Sequence, residues 1–296
     1  MDAATVYMTK DIQPTSLIRL YEAVGLDLPG SILMKVHSGE AGNQNFLRPS
    51  FFAPIQERLH GTIGECNTAY AGARTNNADH RRLFEEHGWT AYFDVDLLDE
   101  DGDMELPIPN GRAITVDYVG DHISRYDSLL VLTHFKGHPM GGFGGALKQL
   151  SIGLASSRGK VNIHTAGAVT DQRLITDWTG GVAAQDDFLQ AMADAAGAVS
   201  RHFAGRAVYL STMANMSVDC DCCAVAEDPC MADVGILAST DPIAIDRACL
   251  DLVHASTDPG RDHLLARIDR QHGEQIIPDA VEQGFGTDRY ELVSID

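Results

Sequence analysis

Lysine is scarce in this chain, and positively charged residues are fewer than negatively charged ones. The 296 residues include 22 lysines and arginines against 42 aspartates and glutamates, which gives a formal net charge of −20. Such an excess of negative charge repels nucleic-acid backbones and anionic lipid, so we expect neither a nucleic acid nor a membrane as partner. Where lysine is rare, each one that remains is more often required. The five lysines are Lys10, Lys35, Lys136, Lys148 and Lys160.

Long apolar runs are also missing. No segment approaches the roughly 18 consecutive apolar residues of a membrane span. Residues 1–20 carry charges and have no apolar centre of the kind found in a secretory signal. We therefore expect a cytoplasmic protein, in a reducing compartment where disulfides are rare. A chain of this length also has enough core to fold without them.

The apolar runs that do occur alternate with helical periodicities. Strands are predicted at residues 31–37, 62–66, 112–119, 128–133, 207–213, 234–238 and 291–295, and helices at 49–59, 79–87, 145–154 and 183–203. Residues 94–111 are predicted to form an excursion or hairpin, and Asp241-Pro242 is typical of a helix start. This pattern predicts an α/β fold with a mostly parallel central sheet and helices on both faces. A single domain over residues 1–296, open to a bilobal form, is the simplest interpretation.

Four of the six cysteines lie within eleven residues, at Cys220, Cys222, Cys223 and Cys230. The cluster is a disulfide staple, a set of metal or iron–sulfur ligands, or an accident of composition. A reducing compartment favours the ligand set. Adjacent cysteines rarely both reach one centre, so a remote third ligand is expected.

Cys66 is the natural candidate for that remote ligand, because it ends a predicted strand and opens a polar loop. The alternative for Cys66 is a small buried apolar side chain. Cys249 lies on the apolar face of a predicted helix, with Ala248 and Leu252, and is predicted to be core.

Three basic side chains alternate after the strand at residues 128–133. His134, Lys136 and His138 point the same way if the chain stays extended. Histidine can act as acid, base or metal ligand near neutral pH, and a lysine between two histidines can hold an anion. The alternative is a polar surface loop.

A glycine-rich stretch follows at residues 141–148. It matches neither G-x-x-x-x-G-K-[ST] nor G-x-G-x-x-G, so a specific nucleotide is not supported. A glycine turn before a helix start can bind a carboxylate or phosphate, and Gly144, Gly145 and Lys148 are candidates for this. The alternative is a loop that packs a helix tightly on the sheet.

Polar loops also follow the first two predicted strands. His37 lies in the first loop and Arg74 in the second. Arg74, or Arg48, could bind a substrate carboxylate through its guanidinium fork. For each of these residues a solvated loop position is the alternative.

Several of these segments together resemble one family. They are VHSGE-x-GN at 36–43, ECNTAY-x-G-x-R at 65–74, HFKGH at 134–138 with the glycines at 141–148, DCDC at 219–222, and D-x-GILAS-x-DP at 233–242. The chain resembles, from residue 31 onward, the uncharacterised Fe–S-centre proteins grouped as domain of unknown function 362. The resemblance implies an α/β fold and an iron–sulfur centre, but no particular reaction. The ferredoxin module that many members carry is missing here.

The resemblance assigns Cys66, Cys220 and Cys222 as ligands, with Cys223, Cys230 or an open position as the fourth. We therefore expect a [4Fe-4S] enzyme that acts on a small carboxylate or phosphate, as a lyase, an isomerase or an oxidoreductase. His134 and His138 would transfer protons, and Lys136 and Lys148 would bind the anionic group.

Two other kinds of protein stay open. One is a non-catalytic cluster carrier or redox sensor with a redox partner protein, in which Cys223 and Cys230 are exchangeable thiols or form a regulatory disulfide. The other is a structural zinc protein. A homo-oligomer is compatible with any of the three.

Overall fold

Twelve short strands are present in the described residues, and those such as β2 and β7 are mainly aliphatic. The computed structural model describes residues 2–175 and 183–296. The strands are β1 (Ala4–Thr9), β2 (Ile32–Lys35), β3 (Thr62–Glu65), β4 (Val95–Leu97), β5 (Asp103–Pro107), β6 (Val116–Gly120), β7 (Ser128–His134), β8 (Lys136–His138), β9 (Gly142–Gly144), β10 (Ala207–Met213), β11 (Gly235–Ser239) and β12 (Tyr290–Ser294).

Eight strands form the central sheet, in the order β12-β1-β11-β10-β7-β2-β3-β4. Strand β11 runs antiparallel to both of its neighbours. The other neighbouring pairs are parallel, including the consecutive run β10, β7, β2, β3 and β4. The predicted mostly parallel sheet is therefore confirmed, and the carboxyl ends of β10, β7, β2 and β3 meet at one edge.

Helices connect the strands. They are α1 (Pro14–Val24), α2 (Pro49–Leu59), α3 (Asn77–Glu86), α4 (Ala146–Leu150), α5 (Ser157–His164), α6 (Gln185–His202), α7 (Pro242–Ala255), α8 (Arg261–Arg270) and α9 (Ile276–Glu282). Proline opens α1, α2 and α7, where its missing N–H costs nothing. The Asp241 carboxylate accepts hydrogen bonds from Ile243 N and Ala244 N, so the predicted helix start is confirmed.

Two apolar cores lie on opposite faces of the sheet. In β7, Leu129 and Val131 belong to one core and Leu130 and Leu132 to the other, because successive side chains of a strand point to opposite faces. The first core includes side chains of α4, α6 and α7, and the second includes those of α1 and α2. Cys249 is fully buried in the first core, as predicted.

Several elements differ from the sequence prediction. The predicted strand at 112–119 is β6, which pairs with β5 in a separate two-stranded sheet. The predicted excursion at 94–111 supplies both β5 and β4, an edge strand of the central sheet. Strand β1 and helices α1 and α5 had no predicted counterpart. Within the described ranges, no helix combines the length and the apolar character that crossing a bilayer requires.

Candidate metal centre and cationic cavity

A cavity of about 180 Å³ lies at the edge of the sheet where the parallel strands end. Its walls come from the loops after β2 and β3, from the turn after β8, from α4 and α5, and from the cysteine-rich segment between β10 and β11. Side chains predicted to be functional line it together: His37, Cys66, Arg74, His138, Lys148 and Cys222. The folded chain thus brings residues from across the sequence to one site.

A tight turn that begins at Cys220 presents Cys222 and Cys223 to this cavity. The Cys223 amide donates to the Cys220 carbonyl at 2.9 Å, which closes the turn. The loop after β2 holds it in place, because the Asn43 side chain donates to the carbonyls of Cys220 and Cys223 at 3.3 and 2.8 Å. The Glu40 amide donates to the Asp221 carbonyl at 2.7 Å. Cys220 is buried and Cys222 is half-buried.

His138, Cys220 and Cys222 form a group that could hold a metal ion. One ligand atom from each lies within 4.8 Å of the others. Ligands of one tetrahedral ion, bound at about 2.0 to 2.3 Å, are about 3.3 to 3.8 Å apart, so a small adjustment would close the group around a single ion. Burial raises the pKa of the Cys220 thiol, although the nearby charge of Lys148 opposes this. Metal binding here would therefore release protons.

The imidazole of His138 has a defined tautomer. Its Nδ1 accepts hydrogen bonds from the Met140 and Gly141 amides at 3.2 and 2.8 Å. The ring proton therefore lies on Nε2, which is 3.6 Å from Cys222 Sγ. Burial, with the charge of Lys148, lowers the pKa of His138 well below its usual value, so the ring is neutral. A neutral His138 can donate a hydrogen bond from Nε2 to a bound molecule or to the Cys222 sulfur.

The other predicted ligands occupy different positions. Cys66 lines the same cavity but is outside the His138, Cys220 and Cys222 group, and its thiol donates to the Leu154 carbonyl at 3.3 Å. Burial raises the pKa of Cys66, so the metal-free thiol is protonated. Cys223 also lines the cavity, whereas the Cys230 thiol donates to the Met216 carbonyl at 3.2 Å. All six cysteines are free, including Cys223 and Cys230.

His134 and Lys136 contact Asp221, which lies between the two cysteines of the turn. His134 Nδ1 lies 3.0 Å from both Asp221 carboxylate oxygens, and its Nε2 lies 2.7 Å from the Ala214 carbonyl. Lys136 Nζ donates to Asp221 Oδ2 at 2.7 Å. Neither side chain is among those that line the cavity. His134 was expected to transfer protons and Lys136 to bind an anion. Both instead contact Asp221 and so position the cysteine turn.

Arg74 is the centre of a buried ionic network. Its guanidinium donates to Glu40 Oε2 and Glu65 Oε1, both at 3.1 Å, and to the Tyr70 hydroxyl at 2.9 Å. The carboxylate partners of Arg74 are therefore residues of the chain itself. His37 lines the cavity beside this network, and its Nδ1 accepts from the Gly39 amide at 3.1 Å.

A contact between the glycine stretch at residues 141–148 and Asp246 of α7 was not indicated by the sequence. The Asp246 carboxylate of α7 accepts hydrogen bonds from the amides of Ala146 and Leu147, at 2.7 and 2.9 Å, and so caps the start of α4. A Cβ atom at Gly145 would lie 2.4 Å from Asp246 Oδ1. The anion at this helix start is therefore the side chain of Asp246. Gly144 packs against the Lys136 and Lys148 side chains, where a Cβ would be 3.5 Å from the nearest atom.

Two lysines of the cavity wall were not among the predicted site residues. Lys35 is fully buried at the end of β2, and Lys160 lies on α5 with only 6% of its surface exposed. Lys148 completes the set, with Nζ 3.4 Å from Cys220 Sγ. The scarcity of lysine was the signal that could have found them, because three of the five lysines line this one cavity.

The fold and the site together define a mixed α/β protein with a His/Cys/Cys group at the carboxyl edge of its sheet. Residues 32–251 match the family model described as Domain of unknown function (DUF362), and the chain belongs to this family. No curated protein matches the chain.

Two solved structures are similar in fold. One is the lactate racemase apoprotein from Thermoanaerobacterium thermosaccharolyticum, with a TM-score of 0.43 and 10% identity, covering 71% of this chain and 50% of that one. The other is a structural genomics protein from Thermotoga maritima, with a TM-score of 0.41 and 14% identity, covering 67% and 50%. The chain thus spans about half the length of each.

Proposed function

We propose that this protein is a metal-dependent enzyme that acts on a small anionic substrate in the cavity described above. The observation that carries the proposal is the close approach of His138, Cys220 and Cys222 beside the ammonium of Lys148. Two thiolates and an imidazole select a soft or borderline metal ion over a hard one. Six free cysteines suit the reducing cytoplasm that we propose as its location.

The roles of the residues follow from their contacts. Cys220 and Cys222 would hold the ion, and His138 would complete the ligand set through Nε2 as the tautomer protonated on Nδ1, in which the Met140 and Gly141 amides no longer donate to that nitrogen. A bound ion would supply Lewis-acid chemistry at a substrate oxygen. Lys148 would hold the anionic group of the substrate, since its ammonium lines the cavity and contacts only a sulfur among the described acceptors. His37, which also lines the cavity, is placed to accept or donate a proton.

A [4Fe-4S] cluster on Cys66, Cys220 and Cys222 is the second candidate. The position of Cys66 in the same cavity wall favours it. In a cluster each thiolate binds a different iron, so the sulfur atoms must lie farther apart than around one ion. The cysteine turn would have to open toward Cys66, with Cys223 as the fourth ligand, since Cys230 lies elsewhere.

Elemental analysis of anaerobically purified protein tests both candidates. We would compare His138→Ala, Cys66→Ala and Cys220→Ala with Cys249→Ala, a buried cysteine of the core that serves as the matched control. A single ion predicts about one equivalent of metal, without acid-labile sulfide, which is lost in the His138 and Cys220 variants and kept in the Cys66 variant. A cluster predicts iron with sulfide and loss of both in the Cys66 variant.

A metal-free preparation that stays fully active would contradict both candidates. Metal that survives in all four variants would contradict the ligand assignment. Activity measurements distinguish a structural zinc site from a catalytic metal. Structural zinc would be required for folding, and the cavity variants Lys148→Met and His37→Ala would leave function intact.

A cluster carrier or redox sensor is the non-catalytic alternative, favoured by Cys223, which lines the cavity next to Cys222 as a free thiol. A carrier or sensor would need a redox partner, which would be another protein or a second copy of this chain in a homo-oligomer. Cys223→Ser would abolish transfer or sensing in that case. It would leave the turnover of a metal-dependent enzyme largely unchanged.

A further inference from the structure

More positive side chains than carboxylates line the cavity. Lys35, Arg74, Lys148 and Lys160 line it, and Glu65 is the one acidic residue among the described lining residues. Arg74 pairs with Glu40 and Glu65, and Lys35 Nζ lies 4.0 Å from Glu65 Oε1. These two cations and two carboxylates balance. Lys148 and Lys160 remain.

Neither of the two remaining lysines forms an ion pair in the described part of the chain. Lys148 Nζ contacts Cys220 Sγ, and Lys160 Nζ donates to the Ala155 carbonyl. Lys160 is nevertheless buried, and Lys148 is half-buried at the cavity wall. A buried ammonium without a negative partner is costly, and a bound anion removes that cost. Each lysine keeps N–H groups that could donate hydrogen bonds to such an anion.

The two lysines have different neighbours in the cavity wall. Lys148 lies on α4, with Nζ beside Cys220 Sγ, whereas Lys160 lies on α5, where burial lowers its pKa and Cys66, Asp99 and Glu65 oppose this. Lys35 is influenced by both lysines: burial lowers its pKa to about 8, with the charges of Lys160 and Lys148 adding to this and Glu65 opposing it. The cavity has a volume of about 180 Å³, which suits a small acid.

We propose that the cavity binds a small dicarboxylate, with one carboxylate on Lys148 beside the cysteine turn and the other on Lys160 and Lys35 beside Cys66. The proposal deepens the proposed function and rests on it in one respect, that this cavity is the substrate site. It adds the second anionic group and assigns Lys35 and Lys160, which no sequence motif marked as ligands.

Calorimetric titration of the purified protein with matched probes tests the proposal. Succinate carries two separated carboxylates, butyrate carries one on a chain of the same length, and methyl phosphate carries two charges on one group. We expect succinate to bind at least about tenfold more tightly than either of the others. Lys160→Met should lower the affinity for succinate to about that for butyrate, and Lys160→Arg should restore the preference. Lys10→Met, an exposed lysine, is the control and should behave as the natural protein.

Equal binding of succinate and butyrate by the natural protein would overturn the proposal without any variant. Tighter binding of methyl phosphate than of succinate would also overturn it, in favour of a single-group anion site. Metal content measured on the same preparations separates this proposal from the previous one. A metal-loaded protein without a preference for succinate refutes only the dicarboxylate, and a metal-free protein that prefers succinate refutes only the metal centre.

Discussion

Lys136 Nζ lies 2.7 Å from the carboxylate of Asp221, the residue between the two cysteines of the turn. His134 approaches the same carboxylate at 3.0 Å. Burial favours the protonated acid, but the charges of His134 and Lys136 outweigh it and hold the pKa of Asp221 well below its usual range. This ionic contact fixes the cysteine turn to the end of β7 and the start of β8.

The first prediction concerns this contact. Asp221→Asn would leave the buried ammonium of Lys136 without its anion and His134 without its carboxylate partner, so we expect the free energy of unfolding to fall by ~3 kcal/mol. Urea denaturation followed by circular dichroism measures the change. Asp228→Asn is the matched control, because Asp228 is exposed in the same segment and should change stability by less than ~0.5 kcal/mol. Equal stability of the two variants would show that Asp221 does not hold the turn.

The second prediction concerns the amide that supports the turn from the opposite side. Asn43→Ala removes the two hydrogen bonds to the carbonyls of Cys220 and Cys223. We expect metal affinity to fall about tenfold or more, as is usual when a group that orients metal ligands is lost. Competition with a chromogenic chelator measures it. Gln44→Ala is the control, since exposed Gln44 contacts Ala226 and lies away from the cysteines. An unchanged affinity in Asn43→Ala would contradict the role of this side chain.

The sequence predicted the sheet because strands depend on local patterns. Mainly apolar runs such as 128–133 are typical of buried strands, and parallel strands place their following loops together. Helix α2 was predicted with its observed bounds, since Pro49 marks its start.

The pairing of polar groups could not be predicted, because it depends on contacts between distant segments. Arg74 is 34 residues from Glu40, and Asp246 is 100 residues from Ala146. The sequence shows that each group exists, but only the fold shows which charge is already balanced. Lys160 was overlooked for the same reason, since nothing near it in sequence marks α5 as a wall of the cavity.

The third prediction concerns Gly145. Gly145→Ala would place a methyl group 2.4 Å from Asp246 Oδ1 and displace the carboxylate that caps α4. Two buried amides would then lose their acceptor, so we expect the free energy of unfolding to fall by ~1 to 3 kcal/mol. Gly141→Ala, in the same stretch, is the control, because the nearest atom to its Cβ would be at an ordinary 3.5 Å. Thermal unfolding should separate the two variants, and similar midpoints would argue against the cap.

The last prediction concerns the pH dependence of folding. Asp117 of β6 is fully buried, and burial raises its pKa to about 8, although the charge of Lys160 opposes this. In the unfolded chain the same carboxyl group titrates near about 4. Between these two values the folded state holds a proton that the unfolded state releases. The contribution of Asp117 to stability therefore falls as the pH rises through this window, and the loss is complete above about pH 8.

Asp117→Asn cannot ionise and should not show this decline. We expect the variant and the natural protein to have similar free energies of unfolding near about pH 5, and the variant to be more stable by at least ~1 kcal/mol near about pH 8. Urea denaturation at both pH values measures the difference. Glu105→Gln is the control, because Glu105 is exposed on the paired strand β5 and its replacement should leave the pH profile unchanged. If Asp117→Asn gave the same pH profile as Glu105→Gln, the buried carboxyl group would have to be ionised throughout this range, with Lys160 as its partner rather than as a free cation of the cavity.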